Sequence, residues 1–328
     1  LGGGTFDVTI LEVRGGDGVV IASDGADQLG GKDWDDLIID YIYSEYKKRT
    51  GNEIPDDMGW DIQQKALDAK FDLTENEQTI VTISSETRDI EITLYRTDSE
   101  RKTSCDYQDY DMDSERPFYF DERSENLLSL CRTICMSLIE KSNLSWGDID
   151  EIVLAGGSCR MPMIPKMLEA LTGKKIPRNI PGFSYDTSIA IGAALAGAKV
   201  SNVHDVVSKT IGIEVLFSGK PFIEHLILKN KPIPVSIEEH FKAEKNAVLK
   251  VYEGSSHSPD ECILRGSLEL GNPEGNVKVY MNVSLDGILS VIVEYPPDIR
   301  KELKIKTDDS DMDIEDLKSK VGGIDLRI

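Results

Sequence analysis

At 328 residues, with 40% hydrophobic and 29% charged side chains, the chain has the balance of a folded protein and enough length for two separate cores. A net charge of -22 argues against a nucleic-acid partner, because phosphate-backbone binding demands a basic face. No apolar run reaches the ~20 residues of a membrane span, so no membrane partner is expected.

The chain opens at Leu1 on a glycine-rich motif with neither an initiating Met nor a visible signal peptide, so residues upstream of it are expected. Residues 6–13 alternate at period two, residues 14–18 turn, and residues 19–22 return, which reads as a hairpin. After Leu29-Gly30-Gly31-Lys32-Asp33 comes an amphipathic helix with Trp34, Leu37, Ile38, Tyr41 and Ile42 on one face. A second helix is predicted over 61–72, and a second hairpin joins 78–84 to 90–94. The acidic, Tyr-rich stretch 97–121 reads as an excursion or mobile loop, and 124–142 as a helix. Residues 149–155 carry a buried-strand signature that ends at Gly156-Gly157-Ser158; a helix begins after Pro162, and a small-residue helix covers 187–198. Strand, Gly-Gly turn and helix are the grammar of an α/β domain.

Past Lys199 only short alternating runs occur, at 211–216, 247–252, 262–270, 277–283, 288–295 and 303–306, at the spacing of an all-β sandwich. The chain is therefore divided near 199–205. Residues 313–318 look like one helical turn. The five cysteines, Cys105, Cys131, Cys135, Cys159 and Cys262, are odd in number; Cys131 and Cys135 lack a matching pair for zinc, so no metal site is expected. Free thiols in a reducing cytoplasm are the reading.

Glycines without side chains let backbone N–H groups approach an anion, and Gly2, Gly3 and Gly4 at the mouth of a hairpin form such a nest, with Thr5 adding a hydroxyl. Gly156, Gly157 and Ser158 repeat the device where a strand feeds a helix. A tight turn explains either triplet alone. The ordered set is more specific: Leu1–Val8, Leu29–Asp35, Ala69–Thr74, Ile152–Pro162, then Asp186 and Ala190–Ala194. Together these resemble, at near-family spacing, the second lobe of the ATPase domain of the 70-kDa heat-shock chaperones. The resemblance implies an α/β lobe of actin-like (ribonuclease-H-like) fold over 1–198, with an inserted helical and β subdomain at about 32–147.

It also implies roles. Gly2, Gly3, Gly4 and Thr5 would cradle the β- and γ-phosphates, and Gly31 would approach the phosphate side of the cleft. Lys70 and Thr74 would contact ribose and adenine; Gly156, Gly157 and Ser158 would face the α-phosphate and ribose. Arg160 would stack on the adenine, with Met161 and Asp186 completing the base pocket. Read alone, Lys70 is a solvated lysine, and Arg160 caps a helix or pairs with an acid. The cofactor implied for the complete protein is ATP or ADP with Mg²⁺. Two departures stand out. Leu67 occupies the position of a family glutamate that accepts hydrogen bonds from the ribose, and the first lobe, with its catalytic lysine and metal-binding residues, has no counterpart here. Nor does the Asp expected just before Leu1. The chain alone is therefore expected not to hydrolyse ATP, since phosphoryl transfer needs charge stabilisation from both sides; turnover well above background would overturn this.

The segments Val206–Glu214, Lys229–Pro234, Val251–Gly254, Leu264–Leu270 and Asp286–Val291 resemble the same family's peptide-binding β-sandwich, expected over 206–308 after a linker at 199–205 and before a truncated lid or tail at 309–328. The family binds extended apolar peptides between loops. Carried over, the arch would come from Leu216 or Phe217 and from Ala243, while Val248, Phe241, Ile213 and Ile288 would line a pocket. Each could instead be ordinary core. The linker is shorter and more polar than the family's Leu-rich run, a poor element for coupling two sites. The implied function is that of an ATP-regulated chaperone for unfolded apolar segments, with co-chaperones or nucleotide-exchange factors as further partners. The rival is a non-enzymatic adaptor whose two sites have decayed. An actin-like sugar kinase is excluded, because nothing in the second half resembles a sugar-binding lobe.

Overall fold

The computed structural model describes residues 1–15, 17–84, 89–97, 117–178, 180–198, 203–273 and 275–304. The chain forms two compact units, Leu1–Ile10 with Ser23–Asn202, and Leu11–Ala22 with Val203–Ile328. The strands β1 (Phe6–Arg14) and β2 (Asp17–Ala26) contribute residues to both.

The first unit is built on α1 (Gly31–Thr50) and α2 (Gly59–Glu75). Trp34, Ile38, Ile42 and Tyr46 recur every four residues along α1, and Ile62, Ala66, Ala69 and Leu73 do so at helical spacing along α2; all are buried. Gly51 ends α1 in the left-handed region at φ 74°, its N–H donating to Lys47 O. The hairpin of β3 (Gln78–Ser84) and β4 (Asp89–Tyr95) pairs Val81 with Ile92 and Ile83 with Ile90, and it turns these apolar residues into the same core. Part of the expected excursion is ordered sheet: β5 (Phe118–Tyr119) runs parallel to the end of β4, with Phe118 fully buried. The rest of it, 98–116, lies outside the described residues. The short α3 (Phe120–Arg123) leads into α4 (Glu125–Lys141), on which Leu128, Cys131, Cys135 and Leu138 form the buried stripe. Cys131 and Cys135 are therefore apolar filling, and burial pushes their thiols up to about 12 and about 11. Together with Cys159 and Cys262 they are free.

One expectation is overturned here. Residues 149–155 are not a strand, because no described neighbour pairs with them, and Val153 is exposed. A strand is a property of a ladder, and the apolar run Ile152–Ala155 supplies only the side chains for one. After α5 (Met163–Thr172), α6 (Ser188–Gly197) is apolar along its whole length yet has no buried residue among those described.

In the second unit the short β6 (Val203–His204), within the expected linker, pairs parallel with Gly18 and Val19 of β2. Residues 199–202 of that linker and the 309–328 tail lie outside the described residues. Two four-stranded antiparallel sheets follow. One has the order β11 (Ile263–Gly271), β10 (Ala247–Glu253), β7 (Ile211–Phe217), β8 (Lys220–Ile227); the other has β14 (Ile299–Lys304), β13 (Leu289–Tyr295), β12 (Gly275–Val283), β9 (Val235–Ala243). Ile211, Ile213, Leu249 and Val251 from the first and Val277, Val279, Met281, Val291 and Val293 from the second share one core. The Tyr295 hydroxyl donates to Leu270 O, joining the two sheets. Sequence alternation does not reveal β8 or β9. Pro221 opens β8, and β9 has Glu238, Glu239 and His240 at its centre, which its exposed positions tolerate.

Candidate functional site

Four segments of the first unit converge. The N–H groups of Gly31 and Lys32, at the start of α1, donate to Gly2 O and Gly3 O at 2.9 and 2.8 Å, and Leu29 N–H donates to Gly4 O at 3.1 Å. The helix terminus is thus occupied by the glycine loop. Gly30 is forced by this closeness: a Cβ there would stand 2.5 Å from Gly4 Cα. Gly156, at φ 95°, is forced in the same way, since a Cβ would meet Leu1 O at 2.2 Å. Gly3 and Gly4, by contrast, are exposed, and a Cβ at either would meet nothing within 4 Å.

Between this loop and α2 lies a cavity of about 260 Å³. Gly3, Gly31, Lys32, Gly157 and Ser158 line one side of it. Leu67, Lys70, Phe71 and Thr74, spaced i, i+3, i+4 and i+7, present one face of α2, and Arg160 and Met161 complete the wall. The Lys70 ammonium is buried, 2.7 Å from Asp35 Oδ1, and donates to Gly31 O at 2.9 Å. Burial raises the Asp35 carboxyl and Lys70 opposes that rise. The Thr74 hydroxyl donates to Lys70 O at 2.9 Å, and Ser158 Oγ donates to Gly2 O at 2.8 Å. Arg160 is ion-paired with Asp186 and lies 5.4 Å from the Tyr185 ring centroid.

Of the residues singled out from sequence, Gly3, Gly31, Lys70, Thr74, Gly157, Ser158, Arg160 and Met161 line this cavity. Gly2, Gly4 and Gly156 build its backbone frame, Asp186 holds Arg160, and Thr5 donates its hydroxyl to Asp7 at 3.2 Å. Asp35, Lys32 and Phe71 were not foreseen as lining it. Phe71 carried a signal, standing one turn after Leu67, whereas the Asp35–Lys70 pair joins two helices and had none.

The second unit holds a different feature. β7 and β10 are laddered only from Ile213↔Val251 to Ile211↔Glu253. Beyond that point β7 stays paired with β8 as far as Phe217↔Lys220, and β10 stays paired with β11 to Ala247↔Gly271. The facing edges Glu214–Phe217 and Ala247–Lys250 therefore separate, with no pairing between them among the described residues. At the base of the split, Glu214 accepts from Lys250 Nζ and from the Tyr252 hydroxyl, both at 2.9 Å. Burial and then Glu214 push that hydroxyl up to about 12. Toward the open end Leu216, Phe217 and Val248 are exposed, at 70%, 68% and 43%.

The β7–β8 hairpin turns through Ser218 and Gly219, both left-handed, as a two-residue loop demands. A run of rings braces it: Phe217 to Phe222 at 5.6 Å, Phe222 stacked on His257 at 4.5 Å, and His257 stacked on His225 at 4.3 Å. His257 Nδ1 donates to Ile223 O and His225 Nε2 to Ser256 O, tying the 254–262 loop to β8. Of the remaining residues singled out here, Ile213 is 1% exposed inside the core, Phe241 and Ala243 are partly buried against it on β9, and Ile288 is exposed in the β12–β13 turn.

Comparison with known proteins gives this geometry a family. The model of the family described as Hsp70 protein matches residues 1–321. The chain belongs to the Hsp70 family. Among its relatives, the chaperone protein DnaK of Akkermansia muciniphila is 32% identical, across 89% of this chain and 45% of the relative. That of Thermosipho africanus is 31% identical across 89% and 49%, and that of Halobacterium salinarum 30% across 90% and 46%. This Hsp70-family chain thus spans about half the length of the curated relatives it matches. Among the described residues no helix is long and apolar enough to cross a membrane, and no three His, Cys, Asp or Glu side chains gather as a metal site.

Proposed function

We propose that this chain is part of an ATP-regulated chaperone: its first unit, the second lobe of an actin-like ATPase domain, takes an adenine nucleotide, and its second unit, a β-sandwich, holds extended apolar polypeptide. The observation that carries this reading is the split between β7 and β10. It leaves two strand edges with unpaired backbone groups and apolar side chains at their open end, which is what an extended peptide needs for main-chain bonds and side-chain anchorage. Leu216, Phe217 and Val248 are the first-rank contacts, with Ile288, Phe241 and Ala243 beyond them. The relatives' name, chaperone protein DnaK, supports the same reading.

The nucleotide fits the first unit's cavity with its phosphates over Gly3, Gly4 and Lys32 and its base between Arg160 and the apolar wall of α2. Because no carboxylate cluster gathers there among the described residues, Mg²⁺ would arrive bound by phosphate oxygens and water rather than by a protein cage. The complete protein works in the cytoplasm, with nucleotide-exchange partners.

The test is fluorescence anisotropy of a labelled heptapeptide with a central Leu-Leu-Leu, titrated with the chain and with Val248→Phe. Saturable binding that the substitution abolishes supports the peptide slot. Absence of binding to a chain shown to be folded overturns it. The second reading, an adaptor with decayed sites, draws on two pairs: Lys70 is already neutralised by Asp35, and Arg160 by Asp186. It requires that a fluorescent ADP also fail to bind.

A further inference from the structure

We propose that the first unit carries a second ligand site, on the loop 177–185, that takes a small organic anion: a phosphate or carboxylate borne on no more than one ring. The inference stands apart from the nucleotide reading above and does not depend on it.

A cavity of about 160 Å³ opens against this loop, and among its lining residues only Arg160 also lines the larger cavity. The charge of its surroundings is unusual for the chain. Acidic residues outnumber basic ones 59 to 37 overall, yet residues 170–185 hold Lys174, Lys175 and Arg178 and no acid. Arg160 and Arg178 both line the cavity, and no Asp or Glu among the described residues does. Arg160 gives Nη2 to Asp186, which leaves Nε and Nη1 of its fork for a ligand. Arg178 has no ion pair among the described residues. Ser184 Oγ accepts the Asp186 N–H at 3.4 Å, and its own proton remains to be donated. The lining thus supplies donors and positive charge, with no carboxylate to repel an anion.

The backbone builds the cavity without help from those side chains. Ile176 is buried at the start of the loop. Phe183 N–H donates to Ile180 O at 3.0 Å across a turn with Pro181 and left-handed Gly182, at φ 77°, in its corner. The Tyr185 hydroxyl donates to Arg178 O at 3.2 Å, and Gly156 N–H donates to Tyr185 O at 3.0 Å, which ties the loop to the glycine frame. Phe183 and Tyr185 stand edge to face at 6.3 Å and, with Leu154 and Ile180, add an apolar wall. A cavity of ~150 Å³ holds one benzene-sized ring, so there is room here for a single ring or a bare oxyanion and little more. A guanidinium fork meets two oxygens of a phosphate or carboxylate at once, with bonds about twice as strong as neutral ones.

The experiment is isothermal titration of the full chain with phenyl phosphate in a phosphate-free buffer, with phenol as the uncharged control, repeated on Arg178→Gln and Ser184→Ala. Arg178 is exposed and only its backbone carbonyl is engaged, so its variant is expected to fold; far-UV circular dichroism checks this. Phenyl phosphate should bind saturably at one site, and phenol at least about tenfold more weakly. Arg178→Gln should lose about tenfold or more in affinity for phenyl phosphate, and Ser184→Ala about threefold. The affinity of Arg178→Gln for ADP with Mg²⁺ should stay within about twofold of the parent, because Arg178 does not line the larger cavity. A folded parent chain that does not bind phenyl phosphate, or binds phenol as tightly, overturns the proposal. So do folded Arg178→Gln and Ser184→Ala with unchanged affinity, which place the anion elsewhere, and an equal loss of ADP affinity in Arg178→Gln, which makes the two cavities one site. A chain that binds phenyl phosphate with this dependence on Arg178 but fails to bind ADP keeps the anion site and removes the nucleotide reading.

Discussion

Gly30→Ala and Gly3→Ala change neighbouring segments of the same cradle by one methyl group each, yet they should have opposite consequences. Gly30 adopts φ −163°, an extended conformation open to any residue, so the substitution carries no backbone strain. Its Cβ, however, would stand 2.5 Å from both Gly4 Cα and Gly4 N, against the ~3.5–4.0 Å at which carbon atoms rest. Nothing flexible yields there, because the opposing atoms are backbone. Either the start of α1 or the glycine loop must move by about 1 Å. The bonds Leu29 N–Gly4 O, Gly31 N–Gly2 O and Lys32 N–Gly3 O then stretch together. Overpacking of this kind costs about 1–3 kcal/mol, and one weakened hydrogen bond adds about 1 kcal/mol. A loss of about 3 kcal/mol lowers the Tm of a unit of this size by about 6–12 °C.

A Cβ at Gly3 meets nothing within 4 Å, so Gly3→Ala should stay within about 0.5 kcal/mol of the parent while weakening nucleotide binding by placing a methyl group in the cradle. Every α-helix described belongs to the first unit, so thermal melting followed at 222 nm reports on the right transition. Gly30→Ala melting within 2 °C of the parent (about 1 kcal/mol or less), or Gly3→Ala melting as low as Gly30→Ala, would refute the reasoning.

Three further outcomes are expected. In native protein at pH 8, Cys131 and Cys135 should alkylate about 1,000-fold and about 100-fold more slowly than in denaturant, because raising the thiols from 9.0 to about 12 and about 11 removes thiolate by those factors; peptide mapping by mass spectrometry reads this. Burial raises the Asp121 carboxyl above 3.8, with Lys166 and Arg96 opposing, so the folded state binds more proton than the unfolded one and stability falls as pH rises from 3.8 through the raised value. The Tm of Asp121→Asn relative to the parent should therefore climb with pH across that window; a difference independent of pH contradicts the assignment. Phe222→Ala removes the ring contacts with Phe217 and His257, worth about 1 kcal/mol, so the Tm of the second unit should fall by about 4 °C, and heptapeptide affinity should fall with it as the Phe217 edge loosens.

The sequence by itself determined what depends on local periodicity and on residue chemistry at a single point. The stripes Trp34, Ile38, Ile42 and Ile62, Ala66, Leu73 announce α1 and α2 because an apolar residue every third or fourth position needs only a helix to become a face. The alternating runs behind β7, β10, β12 and β13 are legible for the same reason, and the glycines of the cradle can be read as places where backbone approaches backbone. What only the tertiary structure decided involves partners distant in the chain. Residues 149–155 have the side chains of a strand and no ladder. Phe118 and Tyr119 become a strand only because β4 lies beside them. β9 survives Glu238, Glu239 and His240 because they sit at exposed positions, a fact of the sheet and not of the residues. The cavity shows the same division: Lys70 and Arg160 could be singled out one by one, but that Asp35 and Asp186 occupy their charges is set by the packing of α1 on α2 and of the 184–186 turn on 157–160. The β7–β10 split likewise exists because each strand keeps its outer neighbour and lets go of the other, a choice made by two registers at once that no single stretch of sequence contains.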